Sequence, residues 1–169
     1  MIEASNGLFT LHGDNYTYQI AIDRFGRLLH LYYGRRINGD ASSLLSYRDR
    51  GFSACPYEAG TDRTFSYDYL PLEVSTLGDG DFRTPGIIIE QENGALSSAF
   101  IYRSHRIYRG SRKLENLPSV CIEDAEVLEI TLEDELSKAD LILTYIVKGS
   151  SLVRGMRIAA KERAITIRK

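Results

Sequence analysis

The chain has 169 residues, which is the size of a single domain with a substantial core. Hydrophobic residues make up 43% and charged residues 26%, and these globular values exclude a disordered or fibrous protein. The 21 Lys and Arg residues nearly balance the 23 Asp and Glu residues, giving a net charge of −2. We therefore expect neither nucleic acid nor a membrane surface to be a partner.

The low cysteine count and the lack of long apolar runs predict a cytoplasmic location. Cys55 and Cys121 are too few for a disulfide framework and lack the spacing of a metal site. The N-terminal residues carry Glu3 and no apolar run of seven, and no 18-residue apolar stretch occurs in the sequence. We expect reduced thiols, no metal, no cofactor, no secretory signal and a cytoplasmic protein.

Alternation of apolar and polar residues predicts strands from the start of the chain. Residues 15–23 (NYTYQIAID) alternate as a strand with one apolar face, formed by Tyr16, Tyr18, Ile20 and Ile22 and opposed by Thr17, Gln19 and Ala21. The following DRFGR loop contains Gly26, which can take positive φ and reverse the chain into LLHLYYG at 28–34. This pattern predicts a β-hairpin.

One short helical turn and a series of further strands follow. Residues 40–47 (DASSLLSY) could form a helical turn capped by Asp40. An Asn93-Gly94 turn is expected to join strands at 87–90 and 99–110 as a second hairpin. The remaining predicted strands are 126–134, 139–149, 151–160 and 163–169. Because parallel strands would need crossover helices, the pattern predicts an all-β protein, an antiparallel β-sandwich or barrel in one domain, residues 1–169.

Residues 46–85, which we call the long segment, interrupt this alternation. They mix glycines, prolines, aromatic residues and arginines with little periodicity. Such a stretch inside a compact domain is usually functional, since its exposed groups cost stability that nothing local restores. We expect any recognition site to lie here.

The end of the long segment, GDGDFRTPG at 78–86, carries Asp79 and Asp81. A calcium loop would need an oxygen ligand where Arg83 stands, and a glycosidase carboxylate pair would need rigidly spaced elements. We favour a structural role, in which the aspartates shape turns, Arg83 pairs with one of them and Pro85 leads into a strand from Gly86.

The three histidines and two clusters of arginine and aromatic residues remain. His12, His30 and His105 lie far apart in sequence without a nucleophile or second ligand nearby, and we expect structural roles. The clusters at 48–52 (RDRGF) and 62–70 (DRTFSYDYL) suit sugar binding, because rings stack on pyranoses and guanidinium groups bind hydroxyls. The alternative, which the residues alone slightly favour, has Phe52, Phe65 and Tyr67 pinning the segment to the core while arginines pair with Asp49 and Asp62.

The C-terminal residues RAITIRK alternate like a strand and have no polar tail. This ending favours a fragment of a longer polypeptide over a terminal strand docked in its own sheet.

The run from 49 to 86, with RGFS, DRTFS, LPLE and DFRTP in order, resembles the N-terminal domain of family 36 glycoside hydrolases, the bacterial alpha-galactosidases. SHRIYRG at 104–110 and EVLEITLED at 126–134 continue the resemblance, and NYTYQI and LLHLYYG extend it over nearly the whole chain.

The resemblance implies a β-supersandwich of the galactose mutarotase-like kind, here with an incomplete sheet. It also implies that the catalytic aspartates belong to a central barrel absent from this chain, so we expect no catalytic residue and no turnover from this chain alone. In tetrameric members, a loop of this domain narrows the active site of a neighbouring subunit. The matching positions are Phe52, an apolar wall, and Arg63, a hydroxyl donor for alpha-galactosides such as melibiose or raffinose.

Two classes of function follow from these observations. The chain is either a non-catalytic part of an alpha-galactosidase that packs on the barrel and supports a homotetramer, or a stand-alone β-sandwich module that binds carbohydrate or protein.

Overall fold

The computed structural model describes residues 1–46, 66–78, 80–112 and 122–169, and these residues form an all-β structure. The ten strands within these ranges are β1 (Ile2–Ser5), β2 (Leu8–His12), β3 (Tyr16–Ile22), β4 (Leu28–Arg35), β5 (Ile89–Gln91), β6 (Ile101–Arg112), β7 (Ile122–Asp134), β8 (Ala139–Lys148), β9 (Ser151–Ala160) and β10 (Ile165–Ile167). A single 3₁₀ turn, Ser42–Leu44, is the one helical element of the described residues. No helix in these ranges has the length and apolar character needed to cross a membrane.

The strands pair in three antiparallel sheets. The first sheet has the order β1-β2-β3-β4 and the second has the order β6-β7-β8-β9, while β5 pairs with β10. Each four-stranded sheet is a meander of sequential hairpins, as short polar turns favour. The predicted antiparallel β-sandwich is confirmed.

The main core lies between the two four-stranded sheets. Its fully or nearly fully buried side chains from the first sheet are Ile2, Phe9, Leu11, Tyr18, Ile20 and Leu28, and those from the second are Leu128, Ile130, Leu132, Ala139, Leu141, Leu143, Tyr145 and Val147. Alternate residues of each strand supply this row, so the predicted inward position of Tyr18 and Ile20 is confirmed.

The predicted hairpin between β3 and β4 also forms. Gly26 has φ of +79° in its turn, and a Cβ there would lie 2.5 Å from the Cγ2 atom of Ile101. The Gly26 carbonyl accepts a hydrogen bond of 2.8 Å from the Tyr102 amide, so this turn also joins the first sheet to the second. Glycine is therefore required by conformation and by close approach.

The second face of β3 is buried, contrary to the expectation of one apolar face. Thr17 and Gln19 are as buried as the core residues, because residues 37–41, which precede the long segment, bind both of their side chains. The Gln19 amide nitrogen donates to the Gly39 carbonyl at 2.8 Å, and its oxygen accepts from the Ala41 amide at 3.0 Å. A polar row can be buried here because its hydrogen bonds are satisfied.

Two local predictions need correction. Ala41, not Asp40, occupies the N-cap of the 3₁₀ turn, although the Asp40 carboxylate accepts a hydrogen bond of 2.7 Å from the Ser42 amide. The second predicted hairpin is wrong. The turn at Asn93-Gly94 forms, but β5 pairs with β10 and β6 pairs with β7. A turn dipeptide reverses the chain without deciding which strand becomes the neighbour.

Candidate functional site

The predicted substrate-binding residues Phe52 and Arg63 lie outside the described residues. The same holds for Asp49, Cys55, Asp62, Phe65, Asp79 and Cys121. The site is therefore built from the two ends of the long segment that the structure describes.

The described residues on either side of 47–65 are fixed on the same face of the first sheet. On the N-terminal side, Ala41 is buried there and its amide binds Gln19. On the C-terminal side, Tyr67 and Leu70 are each 1% exposed within the same apolar cluster. The described chain before residue 47 and after residue 65 thus packs on the same outer face of the first sheet.

The motif LPLE at 70–73 then lies alongside β4. The His30 amide donates to the Pro71 carbonyl at 2.7 Å, and the Glu73 amide donates to the Leu28 carbonyl at 2.9 Å. These bonds extend the first sheet by a short antiparallel bridge. They also bring the Glu73 side chain to the gap between the two sheets.

The Glu73 carboxylate is 1% exposed and is surrounded by donors from both sheets. It accepts hydrogen bonds from the Tyr18 hydroxyl on β3, at 2.7 Å to Oε1, and from the Tyr145 hydroxyl on β8, at 2.8 Å. The Arg154 guanidinium on β9 forms an ion pair with it, and Nδ1 of His30 lies 3.5 Å away. We call these five residues the Glu73 cluster.

These contacts determine the ionisation of the cluster. Burial opposes ionisation of Glu73, but His30, the Tyr18 and Tyr145 hydroxyls and the charge of Arg154 together hold its pKa below the ordinary 4.5. Burial, and then the adjacent Glu73 charge, raise the pKa of Tyr18 and of Tyr145. At neutral pH the cluster therefore contains a carboxylate and two neutral phenols that donate to it.

The Glu73 cluster predicts a loss of stability in acid. A folded-state pKa below 4.5 means that Glu73 stabilises the fold fully above that pH, and that this contribution disappears as the pH falls through the folded value. We expect the Tm of the chain to fall between about pH 5 and about pH 3, and to fall less in Glu73→Gln, which has no proton to gain. Thermal unfolding followed by circular dichroism at each pH measures this. Equal falls in both proteins would assign the acid sensitivity to other carboxylates.

Asp81, near the end of the long segment, is a structural residue. Its buried carboxylate accepts from Nε of Arg83 at 2.9 Å and from Nη2 at 3.0 Å, and Nη2 also donates to the Tyr67 carbonyl at 2.7 Å. Phe82 lies between them with 79% of its surface exposed. The predicted pairing of Arg83 with one of the two aspartates is confirmed for Asp81. The strand expected from Gly86 begins later, at Ile89 in β5.

The histidines lie in three different strands, and each has a local contact. Nδ1 of His12 lies 2.9 Å from the Thr17 hydroxyl, and Nδ1 of His105 lies 2.7 Å from the Tyr102 hydroxyl. The ring of His30 packs against that of Tyr18, with centroids 4.9 Å apart. Within the ranges that the structure describes, no group of three His, Cys, Asp or Glu residues is placed to hold a metal ion.

The Glu73 cluster was not predicted from the sequence, although part of its signal is present there. Glu73 is an acidic residue between the apolar Leu72 and Val74, and a core-facing tyrosine such as Tyr18 needs a partner for its hydroxyl. The rest depends on strand register, which places Tyr145 directly opposite Arg154.

Comparison with known proteins agrees with this architecture. The sequence model of the glycosyl hydrolase family 36 N-terminal domain matches residues 26–166. The bifunctional alpha-galactosidase/sucrose kinase AgaSK of Mediterraneibacter gnavus is 42% identical over 155 residues, covering 89% of this chain and 17% of its own. Alpha-galactosidase 1 of Pediococcus pentosaceus is 37% identical over 150 residues, covering 86% of this chain and 20% of its own.

Solved structures show the same relationship. The galactosidase domain of AgaSK superposes with a TM-score of 0.93 at 40% identity, covering 99% of this chain and 24% of that one. A variant of AgaA from Geobacillus stearothermophilus, solved with raffinose, superposes with a TM-score of 0.86 at 32% identity, covering 95% of this chain and 23% of that one. The chain thus spans between a sixth and a quarter of the length of these relatives. It belongs to glycosyl hydrolase family 36, as an N-terminal domain of the alpha-galactosidases of that family.

Proposed function

We propose that this chain serves as the non-catalytic N-terminal domain of a longer alpha-galactosidase, whose catalytic carboxylates belong to a barrel outside these 169 residues. The family match over residues 26–166 supports this proposal. The named relatives are alpha-galactosidases several times longer than this chain. The domain would pack on its own barrel and support a homotetramer in the cytoplasm.

The substrate class we propose is terminal alpha-galactosides such as raffinose and melibiose. The support is that AgaA, a relative at 32% identity, has been solved with raffinose bound. The role of the domain towards these sugars would be to narrow the active site of a neighbouring subunit. Phe52 would form an apolar wall against the sugar, and Arg63 would donate hydrogen bonds to its hydroxyls.

The observation that carries this role is the anchoring of the chain on either side of residues 47–65. Tyr67 and Leu70 on one side and Ala41 on the other are buried on one face of the first sheet. A binding loop needs rigid attachment so that its side chains are presented in a fixed position. An unanchored linker would need none of these buried contacts.

We expect Phe52→Ala and Arg63→Ala in the full-length enzyme each to lower kcat/KM on raffinose by about tenfold, through loss of a sugar contact. Steady-state kinetics with the purified tetramer measures this, and light scattering verifies the assembly. Leu136→Ala and Arg163→Ala, exposed positions outside the long segment, are matched controls and should have wild-type kinetics. Unchanged kcat/KM in both the Phe52 and Arg63 variants would contradict the proposed role.

A further inference from the structure

Burying the Glu73 carboxylate costs free energy, which an apolar side chain at the same position would not. A buried carboxylate with an arginine partner is often no more stabilising than apolar side chains of similar size. Here the carboxylate is 1% exposed and its neighbours on either side, Leu72 and Val74, pack with the two apolar clusters. A carboxylate at this position accepts directional hydrogen bonds, which an apolar side chain of similar size cannot do.

Direction follows from the geometry of the donors. The Tyr18 hydroxyl lies within 2.7 and 2.9 Å of the two Glu73 oxygens, while the Tyr145 hydroxyl and the Arg154 guanidinium both bind Oε1. Tyr18 comes from the first sheet, and the other two donors come from the second. Hydrogen bonds to a carboxylate are directional, so donors from two sheets fix both the position and the orientation of the Glu73 side chain.

The position of Glu73 in the chain connects this geometry to the long segment. Tyr67 and Leu70 form what we call the C-terminal anchor of the long segment, and Glu73 lies three residues after Leu70. Its amide is bonded to β4 and its side chain to β3, β8 and β9. Residues 70–73 are thus attached to the two sheets through both backbone and side-chain contacts.

We propose that Glu73 is a positioning residue for the sugar-binding role of Phe52 and Arg63, because it fixes the C-terminal anchor of the long segment to both sheets. The link to sugar binding rests on the proposed function above. Glu73 itself does not touch the substrate. Any effect of Glu73 on the reaction is therefore indirect, through Phe52 and Arg63.

Substitution of the half-exposed Arg154 can weaken the contacts of Glu73 without changing a core residue. Its side chain is 48% exposed, and its guanidinium lies 5.4 Å from the ring centre of Tyr18 and 5.7 Å from that of Tyr145. Arg154→Gln therefore removes the cation without opening a hole in the core. Glu73→Gln keeps the shape of the carboxylate and removes its charge.

The first measurement is hydrogen exchange of the full-length enzyme by mass spectrometry. In Glu73→Gln and in Arg154→Gln we expect exchange at residues 66–78 to accelerate by about tenfold or more, and by more than any acceleration in β7. Glu133→Gln is the matched control, since Glu133 is likewise an ion-paired glutamate, bound to Arg103 and Lys161, but lies on the other face of the second sheet. It should leave 66–78 unchanged. Wild-type exchange at 66–78 in both variants would overturn the proposal.

The second measurement is a double-mutant cycle in kcat/KM on raffinose. Glu73→Gln should lower kcat/KM by about tenfold in the wild-type enzyme, mainly through KM, because small displacements of a binding group have large effects. In the Phe52→Ala/Arg63→Ala background it should cause no further loss. A full tenfold loss in that background would overturn the proposal, since Glu73 would then act by another route.

The two proposals can fail separately. If Phe52→Ala/Arg63→Ala has wild-type kinetics, the proposed function fails, and exchange at 66–78 alone decides whether Glu73 fixes the anchor. If Glu73→Gln does not fold, Arg154→Gln takes its place in both measurements and is held to the same outcomes.

Discussion

Replacing Glu73 by alanine is expected to lower the free energy of unfolding of this chain by about 2 to 4 kcal/mol, because two buried hydroxyl groups lose their acceptor. The change leaves the Tyr18 and Tyr145 hydroxyls without their acceptor inside the protein, and Arg154 without its counter-ion. Each unsatisfied buried donor opposes folding. Urea denaturation followed by circular dichroism measures the difference.

The control for this prediction is Glu133→Ala. Glu133 pairs with Arg103 and Lys161, and the Glu133 side chain is 22% exposed while those of its partners are 45% and 38% exposed. Solvent screens such pairs, so the midpoint of denaturation should move much less than in Glu73→Ala. Equal midpoints for the two variants would mean that burial does not distinguish the Glu73 cluster from a surface ion pair.

Long strands were predictable from the sequence because their alternation is long enough to be read without tertiary information. The strands predicted at 126–134, 139–149 and 151–160 correspond to β7, β8 and β9, which begin or end within a few residues of the prediction. Short strands behaved differently. β5 has only three residues, and its pairing with β10 instead of β6 is set by packing in the core, which a turn motif does not encode.

The site was less predictable than the fold, for a reason that particular residues make clear. Glu73, Tyr18, Tyr145 and Arg154 are separated by up to 136 positions and meet only because the two sheets stack. The burial of Gln19 likewise depends on what covers the second face of β3. Asp81 was predictable because its partner, Arg83, is two residues away. Phe52 and Arg63 rest on family resemblance and remain predictions.

Tyr67→Ala is the second substitution with a large expected effect. The Tyr67 ring is 1% exposed in the apolar cluster over the outer face of the first sheet, among Leu29, Leu31, Ala41 and Leu70. Its removal should lower the free energy of unfolding by about 3 to 5 kcal/mol, through lost burial and the cavity left behind. Urea denaturation of the chain measures this as well.

Phe82→Ala is the matched control, since Phe82 is an aromatic residue of the same segment with 79% of its surface exposed. It should change the free energy of unfolding by no more than about 0.5 kcal/mol. The contrast tests the basis of the proposed binding role, because a loop can present Phe52 and Arg63 in a fixed position only if its attachment is part of the folded core. If Tyr67→Ala were as mild as Phe82→Ala, the long segment would not be anchored by this cluster.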